Sequence, residues 1–197
     1  MKISFDEAYL QSGSKSDKDI LHNYGKTYEK LFEPFANKPI NLCEVGFYEG
    51  ESAILFSYLF KNKDSSFDFI DNTDEYIDFK SVKDRCYDSK RVNFHLFDIL
   101  KIDKEKEFRD KKFDIVIDDG NHCANYQWKT IDFFKQRLNP GGVIVIEDVR
   151  LKNSPFDDPP NYPACISGMN PDDFELIEIP IKDKSVWDNN LLVYRNV

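Results

Sequence analysis

Acidic residues and one histidine follow directly after two apolar segments, residues 114–117 and 143–146. The residues that follow them are Asp118, Asp119, His122, Glu147 and Asp148. Carboxylate oxygens are ligands that Mg²⁺ prefers, and an imidazole with a pKa of about 6.5 can accept a proton near neutral pH. If the two segments bring these side chains to one point, they form a candidate site for metal-assisted proton transfer.

The two apolar segments have the pattern of buried parallel strands. Their apolar residues are continuous rather than alternating, which is typical of strands covered on both faces. The chain between them predicts a helix with Trp128, Ile131 and either Phe133 or Phe134 facing inward, which ends before a Pro-Gly-Gly turn at residues 139–142. A right-handed crossover would make the two strands parallel neighbours. Both acidic ends would then lie at the carboxyl edge of the sheet, where open α/β sheets bind ligands.

A turn with two glycines follows the first predicted strand, residues 40–45. The turn, Gly46-Phe-Tyr-Glu-Gly50, has Gly-x-x-x-Gly spacing and lacks the GxGxxG fingerprint of dinucleotide sites. Glycines allow the backbone to turn sharply and to approach a ligand closely. The turn alone is weak evidence for a nucleotide-like ligand.

Acids also end the second and third predicted strands, residues 67–70 and 92–97. Asp71 follows the glycine turn by about twenty residues, which is where Rossmann-like sheets bind a ribose diol. The alternative is that Asp71 caps the next helix. Asp98 ends the third strand, where a residue that contacts the base would lie, whereas His95 within this strand is interpreted as structural.

The rest of the N-terminal half predicts an extended lead-in over residues 1–17 and two helices. The first helix covers residues 16–34, with Ser or Asp as its cap, and the second is a polar helix over residues 75–90. His22 and Tyr24 in the first of these helices are interpreted as surface and core residues rather than site residues.

The C-terminal part begins with a proline-rich segment, residues 151–172, which lacks a periodic pattern. Long loops of this kind are usually functional or disordered, and this one leaves the carboxyl edge of the sheet, so we expect it to face the substrate. Residues 174–181 and 190–194 predict a terminal antiparallel strand pair.

Composition excludes several functional classes. A net charge of -9 argues against a nucleic-acid partner, because such binding depends on clustered Lys and Arg. No apolar run approaches the roughly 20 residues that span a bilayer, and no signal peptide is evident, so we expect a cytoplasmic protein without a membrane partner. The four cysteines have no CxxC spacing, which predicts reduced thiols.

The order of these features resembles the class I S-adenosylmethionine-dependent methyltransferases. More specifically, residues 117–122 (IDDGNH) followed by residues 139–149 (NPGGVIVIEDV) resemble the metal-dependent sugar O-methyltransferases. This group includes the macrolide and rhamnosyl O-methyltransferases and the cephalosporin hydroxylase-like proteins. Residues 16–18 (SDK) and 22–24 (HNY) are similar to a segment of the same family. The resemblance covers the chain from about residue 16 to its end.

The resemblance implies an α/β fold with a Rossmann-like doubly wound sheet, mostly parallel, with a C-terminal antiparallel strand pair. It implies an enzyme that moves a methyl group from S-adenosylmethionine to a sugar hydroxyl, in bacterial glycan, capsule or natural-product biosynthesis. Mg²⁺ or Mn²⁺ would be held by Asp119, Glu147 and Asp148, with His122 as the general base. Residues that bind the cofactor would be Glu44, Gly46, Gly50, Asp71 and Asp98.

Domain organisation follows from the same resemblance. Residues 1–38 would be a lead-in and helix that act as a cofactor lid or a dimer contact, and residues 39–197 would be the methyltransferase domain. The small size favours a compact sugar or nucleotide-sugar as substrate, and a homodimer or higher homo-oligomer is plausible.

Two other functions stay open. A catechol-type metal-dependent O-methyltransferase would act on a small phenol, although that family usually pairs Asp with Asp-Asn, whereas this chain has Glu147-Asp148. A non-catalytic S-adenosylmethionine-binding subunit would retain the cofactor site without turnover.

Overall fold

The continuous apolar runs form strands of one sheet in the computed structural model, which describes residues 4–155, 157–180 and 188–197. The strands are β1 (Asn41–Val45), β2 (Ser66–Asp71), β3 (Val92–Leu96), β4 (Phe113–Asp118), β5 (Leu138–Ile146), β6 (Phe174–Glu178) and β7 (Asn190–Arg195). Their order in the sheet is β3-β2-β1-β4-β5-β7-β6. Strands β1 to β5 run parallel, and β7 is antiparallel to both β5 and β6. This confirms the predicted doubly wound sheet with a C-terminal antiparallel pair.

Helices cover both faces of this sheet. They are α1 (Phe5–Ser12), α2 (Asp17–Ile20), α3 (Gly25–Phe32), α4 (Glu51–Leu59), α5 (Phe79–Arg85), α6 (Lys106–Arg109) and α7 (Ala124–Lys135). Successive strand side chains point to opposite faces. Leu42 therefore packs with α1, α3 and α4, and its neighbour Cys43 packs in the second core with α6 and α7. Burial on both faces explains why the strand sequences are continuously apolar.

The N-terminal region differs from the sequence-based expectation. The predicted extended lead-in is wrong, because α1 forms there with the Ser4 hydroxyl capping the Glu7 amide and with Phe5 and Ala8 buried. The predicted single helix over residues 16–34 is wrong as well. It divides into α2 and α3, because Asn23 adopts a left-handed backbone conformation with φ +59° between them.

Two further boundaries change. The helix predicted over residues 75–90 is confined to α5, where the Asp78 side chain caps the Ser81 amide. Strand β5 continues through the predicted Pro-Gly-Gly turn, with a register irregularity between Phe113 and Ile115 of β4. Residue 181, at the end of the predicted sixth strand, lies outside the described residues.

The proline-rich segment packs partly against α7. Cys165 and Ile166 are buried in a short 3₁₀ turn, and the Trp128 indole donates a hydrogen bond to the Ser167 carbonyl oxygen. No helix in the described part of the chain has the length and apolar character needed to cross a membrane.

Candidate active site

A cleft of about 420 Å³ opens at the carboxyl edge of the sheet. Among the predicted cofactor residues, Gly46, Asp71 and Asp98 line this cleft after strands β1, β2 and β3. Gly50 stands at the N-terminus of α4 with φ +79°, and Glu44 is fully buried within β1. The structure thus places three of the five predicted residues on the cleft wall and the other two beside or behind it.

The glycine turn is held by Asp71. One carboxylate oxygen of Asp71 accepts hydrogen bonds from the Phe47 amide (3.0 Å) and the Tyr48 amide (3.2 Å). Gly46 has φ +89°, and a Cβ atom there would lie 2.1 Å from the Asp119 carbonyl oxygen. Glycine is therefore required at position 46, both for its backbone conformation and for the close approach of the next loop.

The predicted catalytic residues meet where β4 and β5 end. The strand register aligns Val45, Asp118 and Ile146, so the residues after them emerge together. Asp119, His122 and Asp148 offer ligand atoms that all lie within 4.8 Å of one another. The His122 Nε2 atom is 3.5 Å from Asp148 Oδ2. Asp119 also borders the cleft, so this group lies at its edge.

Glu147 has a different set of partners from Asp148. Its Oε1 atom lies 2.7 Å from Lys18 Nζ and accepts a short hydrogen bond from the Tyr28 hydroxyl. Lys18 also lies 2.7 Å from Asp119 Oδ2 and 3.1 Å from Glu44 Oε1. Glu44, Asp119 and Glu147 therefore form a second acidic group with an ammonium group between them.

Asp148 is contacted by the N-terminal region as well. Its Oδ1 atom accepts a hydrogen bond from the Tyr24 hydroxyl at 2.8 Å and lies 3.5 Å from His22 Nδ1. The His22 and Tyr24 rings stack with centroids 5.1 Å apart. Tyr24 is fully buried, as its interpretation as a core residue predicted, but both residues also contact a predicted metal ligand.

Burial controls the charges of this group. It raises the pKa of Glu44 to about 7 and that of Asp148 to about 6, against the opposing charges of Lys18 and His122 respectively. Burial also raises the pKa of Glu147 well above its usual value. Burial would lower the pKa of Lys18, but the carboxylates around it hold that pKa well above its usual value. The lysine therefore stays charged beside Glu44 and Glu147, two acids whose pKa values are raised.

Asn161 in the proline-rich segment fixes both acidic loops. Its side-chain amide donates to the His122 and Asp148 carbonyl oxygens, each at 3.0 Å, and its Oδ1 atom accepts from the Arg150 amide at 2.6 Å. The Arg150 guanidinium also donates to the His122 carbonyl oxygen at 3.0 Å.

Asp118, the acid before Asp119, is buried. One of its carboxylate oxygens accepts a hydrogen bond from the Gly120 amide at 3.3 Å.

A model of a methyltransferase domain family matches residues 43–149. The chain belongs to this methyltransferase family. It is 27% identical over 145 residues to 8-demethyl-8-alpha-L-rhamnosyl tetracenomycin-C 2'-O-methyltransferase from Streptomyces olivaceus, an alignment that covers 71% of this chain and 36% of that protein.

Solved structures share the fold of this methyltransferase. MycE, from the mycinamycin biosynthetic pathway and in complex with Mg, SAH and mycinamycin VI, superposes with a TM-score of 0.69 and 20% identity over 99% of this chain and 55% of that chain. The O-methyltransferase TomG from Streptomyces achromogenes, in complex with SAM, superposes with a TM-score of 0.64 and 16% identity over 98% and 91% of the two chains. The class I fold is confirmed. The chain spans little more than a third of the curated relative and about half of MycE.

Several residues of this methyltransferase's candidate site were missed by sequence reasoning. Lys18, His22 and Tyr24 belong to the SDK and HNY segments, whose similarity to the family was the available signal. Tyr28 and Asn161 gave no signal, because an apolar position in a helix and a polar residue in a loop are both common without function.

Proposed function

We propose that this chain is an S-adenosylmethionine-dependent O-methyltransferase that methylates a sugar hydroxyl with the help of a divalent cation. The observation that carries the proposal is the meeting of Asp119, His122 and Asp148 at the edge of a cleft whose wall also contains Asp71 and Asp98. The rhamnosyl 2'-O-methyltransferase, to which the chain is similar, supports the sugar class of acceptor, and the Mg and SAH bound in MycE support the cation and the cofactor.

The cleft suits the cofactor. Gly46 lines the cleft and allows the Asp119 loop to pack against the glycine turn without a side chain in the way. Asp71 keeps the neighbouring loop in place through two backbone amides, and its position at the tip of β2 suits contact with a ribose diol. Asp98 at the tip of β3 would lie near the adenine, and Gly50 and Glu44 would support the loop and helix that surround the methionine part.

The acids suit a hard divalent cation. The proposed ligands of Mg²⁺ or Mn²⁺ are Asp119, Glu147 and Asp148, whose carboxylate oxygens match the preference of these ions. When bound, such an ion lowers the pKa of a hydroxyl group, as it does for water. Lys18 and Tyr28 engage the Oε1 atom of Glu147, so Glu147 would hold the ion through its other carboxylate oxygen.

His122 is the proposed general base. Its Nε2 atom faces Asp148, and its Nδ1 atom has no hydrogen-bond partner among the described residues. A neutral imidazole at this place can take the proton of the acceptor hydroxyl. Tyr24 holds the Asp148 carboxylate beside it, and the remaining acceleration would come from holding the hydroxyl in line with the methyl group.

The acceptor would enter from the side of the proline-rich segment. Residues 151–172 begin three residues after Asp148 and contribute Asn161 to the site, which supports their role as a substrate-facing loop of the domain over residues 39–197. Residues 1–38 are proposed to cover the cofactor, because Lys15, Ser16 and Asp17 line the cleft. The aromatic residues of α3 are buried within the chain and do not favour a dimer contact there.

The test is turnover of S-adenosylmethionine with a panel of sugars, nucleotide-sugars and catechols. We expect methylation of a sugar, its loss in EDTA and its recovery with Mg²⁺. Turnover that persists in EDTA would overturn the proposed dependence on a divalent cation. Methylation restricted to catechols would favour a small phenol as acceptor. Calorimetric binding of the cofactor without turnover on any acceptor would favour a non-catalytic subunit.

A further inference from the structure

The most deeply buried cation of the candidate site comes from the N-terminal region rather than from the sheet. The Lys18 side chain is 1% exposed, and its Nζ atom contacts Asp119 and Glu147 at 2.7 Å and Glu44 at 3.1 Å. These carboxylates belong to, or directly follow, three adjacent strands: β1, β4 and β5. A buried ammonium is tolerated when it is paired and hydrogen-bonded, and this one joins three strand ends to a segment 101 residues away from Asp119.

The residues before Lys18 form part of the cleft. We call residues 14–18 the N-terminal strap. Lys15, Ser16 and Asp17 of this strap line the cleft together with Gly46 and Asp71. The strap therefore contributes a wall of the cofactor site although it lies outside the region that the family model matches, residues 43–149.

The strap is fastened at two ends. At its beginning, the Ser14 hydroxyl donates to the Glu51 carbonyl oxygen at 2.8 Å, and the Lys15 amide donates to Glu51 Oε2 at 2.7 Å. At its end, Lys18 is fastened to Asp119 and Glu147. The first contacts hold the strap to α4, whereas the Lys18 contacts hold it to the acids that are the proposed metal ligands.

We propose that Lys18 is a positioning residue that fixes the N-terminal strap as a wall of the cofactor cleft and orients Asp119 and Glu147 beside it. This inference rests on the proposed function for the identity of the cofactor. The lysine links the cofactor half of the site to the acidic half. Its backbone belongs to the strap that lines the cleft, and its ammonium group contacts Asp119 and Glu147, two of the proposed metal ligands. Removing its charge therefore loosens the strap and weakens cofactor binding even when the fold survives.

The experiment compares Lys18→Met with wild type, using binding of S-adenosylhomocysteine by calorimetry and amide hydrogen exchange without ligand. Lys129→Met is the matched control, because Lys129 forms an ion pair with Asp103 on α7's side of the sheet and does not line the cleft. The double variant Lys18→Met, Glu44→Gln removes one buried carboxylate together with the lysine charge. It replaces the single variant in both measurements if the single variant does not fold.

We expect at least tenfold weaker S-adenosylhomocysteine binding in the folded Lys18 variants and at least tenfold faster exchange of the amides of residues 14–17, with the control within twofold of wild type. A folded Lys18 variant that binds within twofold of wild type, or whose strap exchanges at the wild-type rate, would overturn the inference. If the wild-type chain itself fails to bind S-adenosylhomocysteine, the proposed function fails and the cofactor role of Lys18 falls with it. The exchange measurement then still decides whether Lys18 holds the strap.

Discussion

The His122 Nε2 atom lies 3.5 Å from Asp148 Oδ2, and both residues have a left-handed backbone conformation, with φ +57° and φ +53°. Residues other than glycine adopt this region rarely, and such conformations cost about 1–3 kcal/mol each when the surroundings impose them. The surroundings here are specific: the Asn161 amide donates to the carbonyl oxygens of both residues. The imidazole and the carboxylate thus face each other because a third side chain holds their loops.

Replacing Asn161 with Leu should therefore reduce turnover more than cofactor binding. The change keeps the branched shape of the side chain but leaves the Asp148 carbonyl oxygen without this donor, and a buried unpaired group costs about 1–3 kcal/mol. We expect kcat to fall about tenfold to a hundredfold, since small displacements of catalytic groups have effects of this size. The affinity for S-adenosylhomocysteine should stay within threefold of wild type.

The control for this variant is Asn196→Leu. Asn196 is half-buried, and its side-chain amide donates to the Leu138 and Asn139 carbonyl oxygens at the start of β5, the end of that strand opposite to the acidic loop. Both variants should lose stability in urea unfolding, but Asn196→Leu should keep its turnover. An equal loss of kcat in the two variants would show that the effect of Asn161 is general destabilisation.

Replacing His122 with Gln tests the proposed base. A general base typically contributes about 10²–10⁴-fold to the rate, so we expect kcat to fall by at least a hundredfold. Binding of Mn²⁺, measured by electron paramagnetic resonance, should stay within threefold of wild type if the imidazole transfers a proton and does not hold the ion. Strongly weakened Mn²⁺ binding would instead make His122 a metal ligand together with Asp119 and Asp148, a grouping that the geometry also allows.

Replacing Asp71 with Asn tests the cofactor end of the cleft. The Asp71 carboxylate accepts from the Phe47 and Tyr48 amides, and hydrogen bonds to a charged group contribute about 1.5–3 kcal/mol. We expect calorimetry to show S-adenosylhomocysteine binding weakened about tenfold to a hundredfold. Asp74→Asn, on the exposed loop after β2, is the control and should bind normally. Unchanged binding in the Asp71 variant would remove its assignment to the ribose.

The parts of the fold that follow from local patterns could be predicted from the sequence. Parallel strands buried on both faces have a recognisable run of apolar residues, so Ile115 and Ile144 mark β4 and β5 correctly. The N-terminal helices could not be placed as well. Phe5 and Ala8 give too short an apolar pattern to reveal α1. The break at Asn23 depends on a left-handed backbone conformation, which asparagine adopts only in a suitable context.

The acids of the site could be predicted because they follow strands, and strand ends converge at one edge of a sheet. Lys18 and Asn161 could not, because Lys18 is 101 residues away from Asp119 in the sequence and Asn161 is 39 residues away from His122. Lysine and asparagine residues are usually exposed. That these two are buried depends on how the N-terminal region and the proline-rich segment fold back onto the strand ends, which no local pattern encodes.

His95 of β3 belongs to a cluster of charged side chains that includes Asp68 of the neighbouring strand β2. Its Nε2 atom lies 2.9 Å from Asp68 Oδ1, its Nδ1 atom lies 2.9 Å from Glu107 Oε1, and Lys111 contacts the other oxygen of Asp68. Burial would lower the pKa of His95, but hydrogen bonds and charges from Asp68 and Glu107 raise it above its usual value. This arrangement agrees with a structural rather than a catalytic role for His95.

The raised pKa predicts how stability depends on pH. A histidine whose pKa is higher in the folded state stabilises the protein fully below the unfolded pKa of about 6.5, and this stabilisation is lost as the pH rises through the folded pKa. The difference in unfolding free energy between wild type and His95→Gln should therefore be larger at pH 6 than at pH 9, as measured by urea unfolding at both values. Other titrating groups, such as Glu44, are present in both proteins, so their contributions cancel in the difference. A difference that stays constant between the two pH values would show that His95 stabilises the sheet through packing against Phe108 and not through its charge.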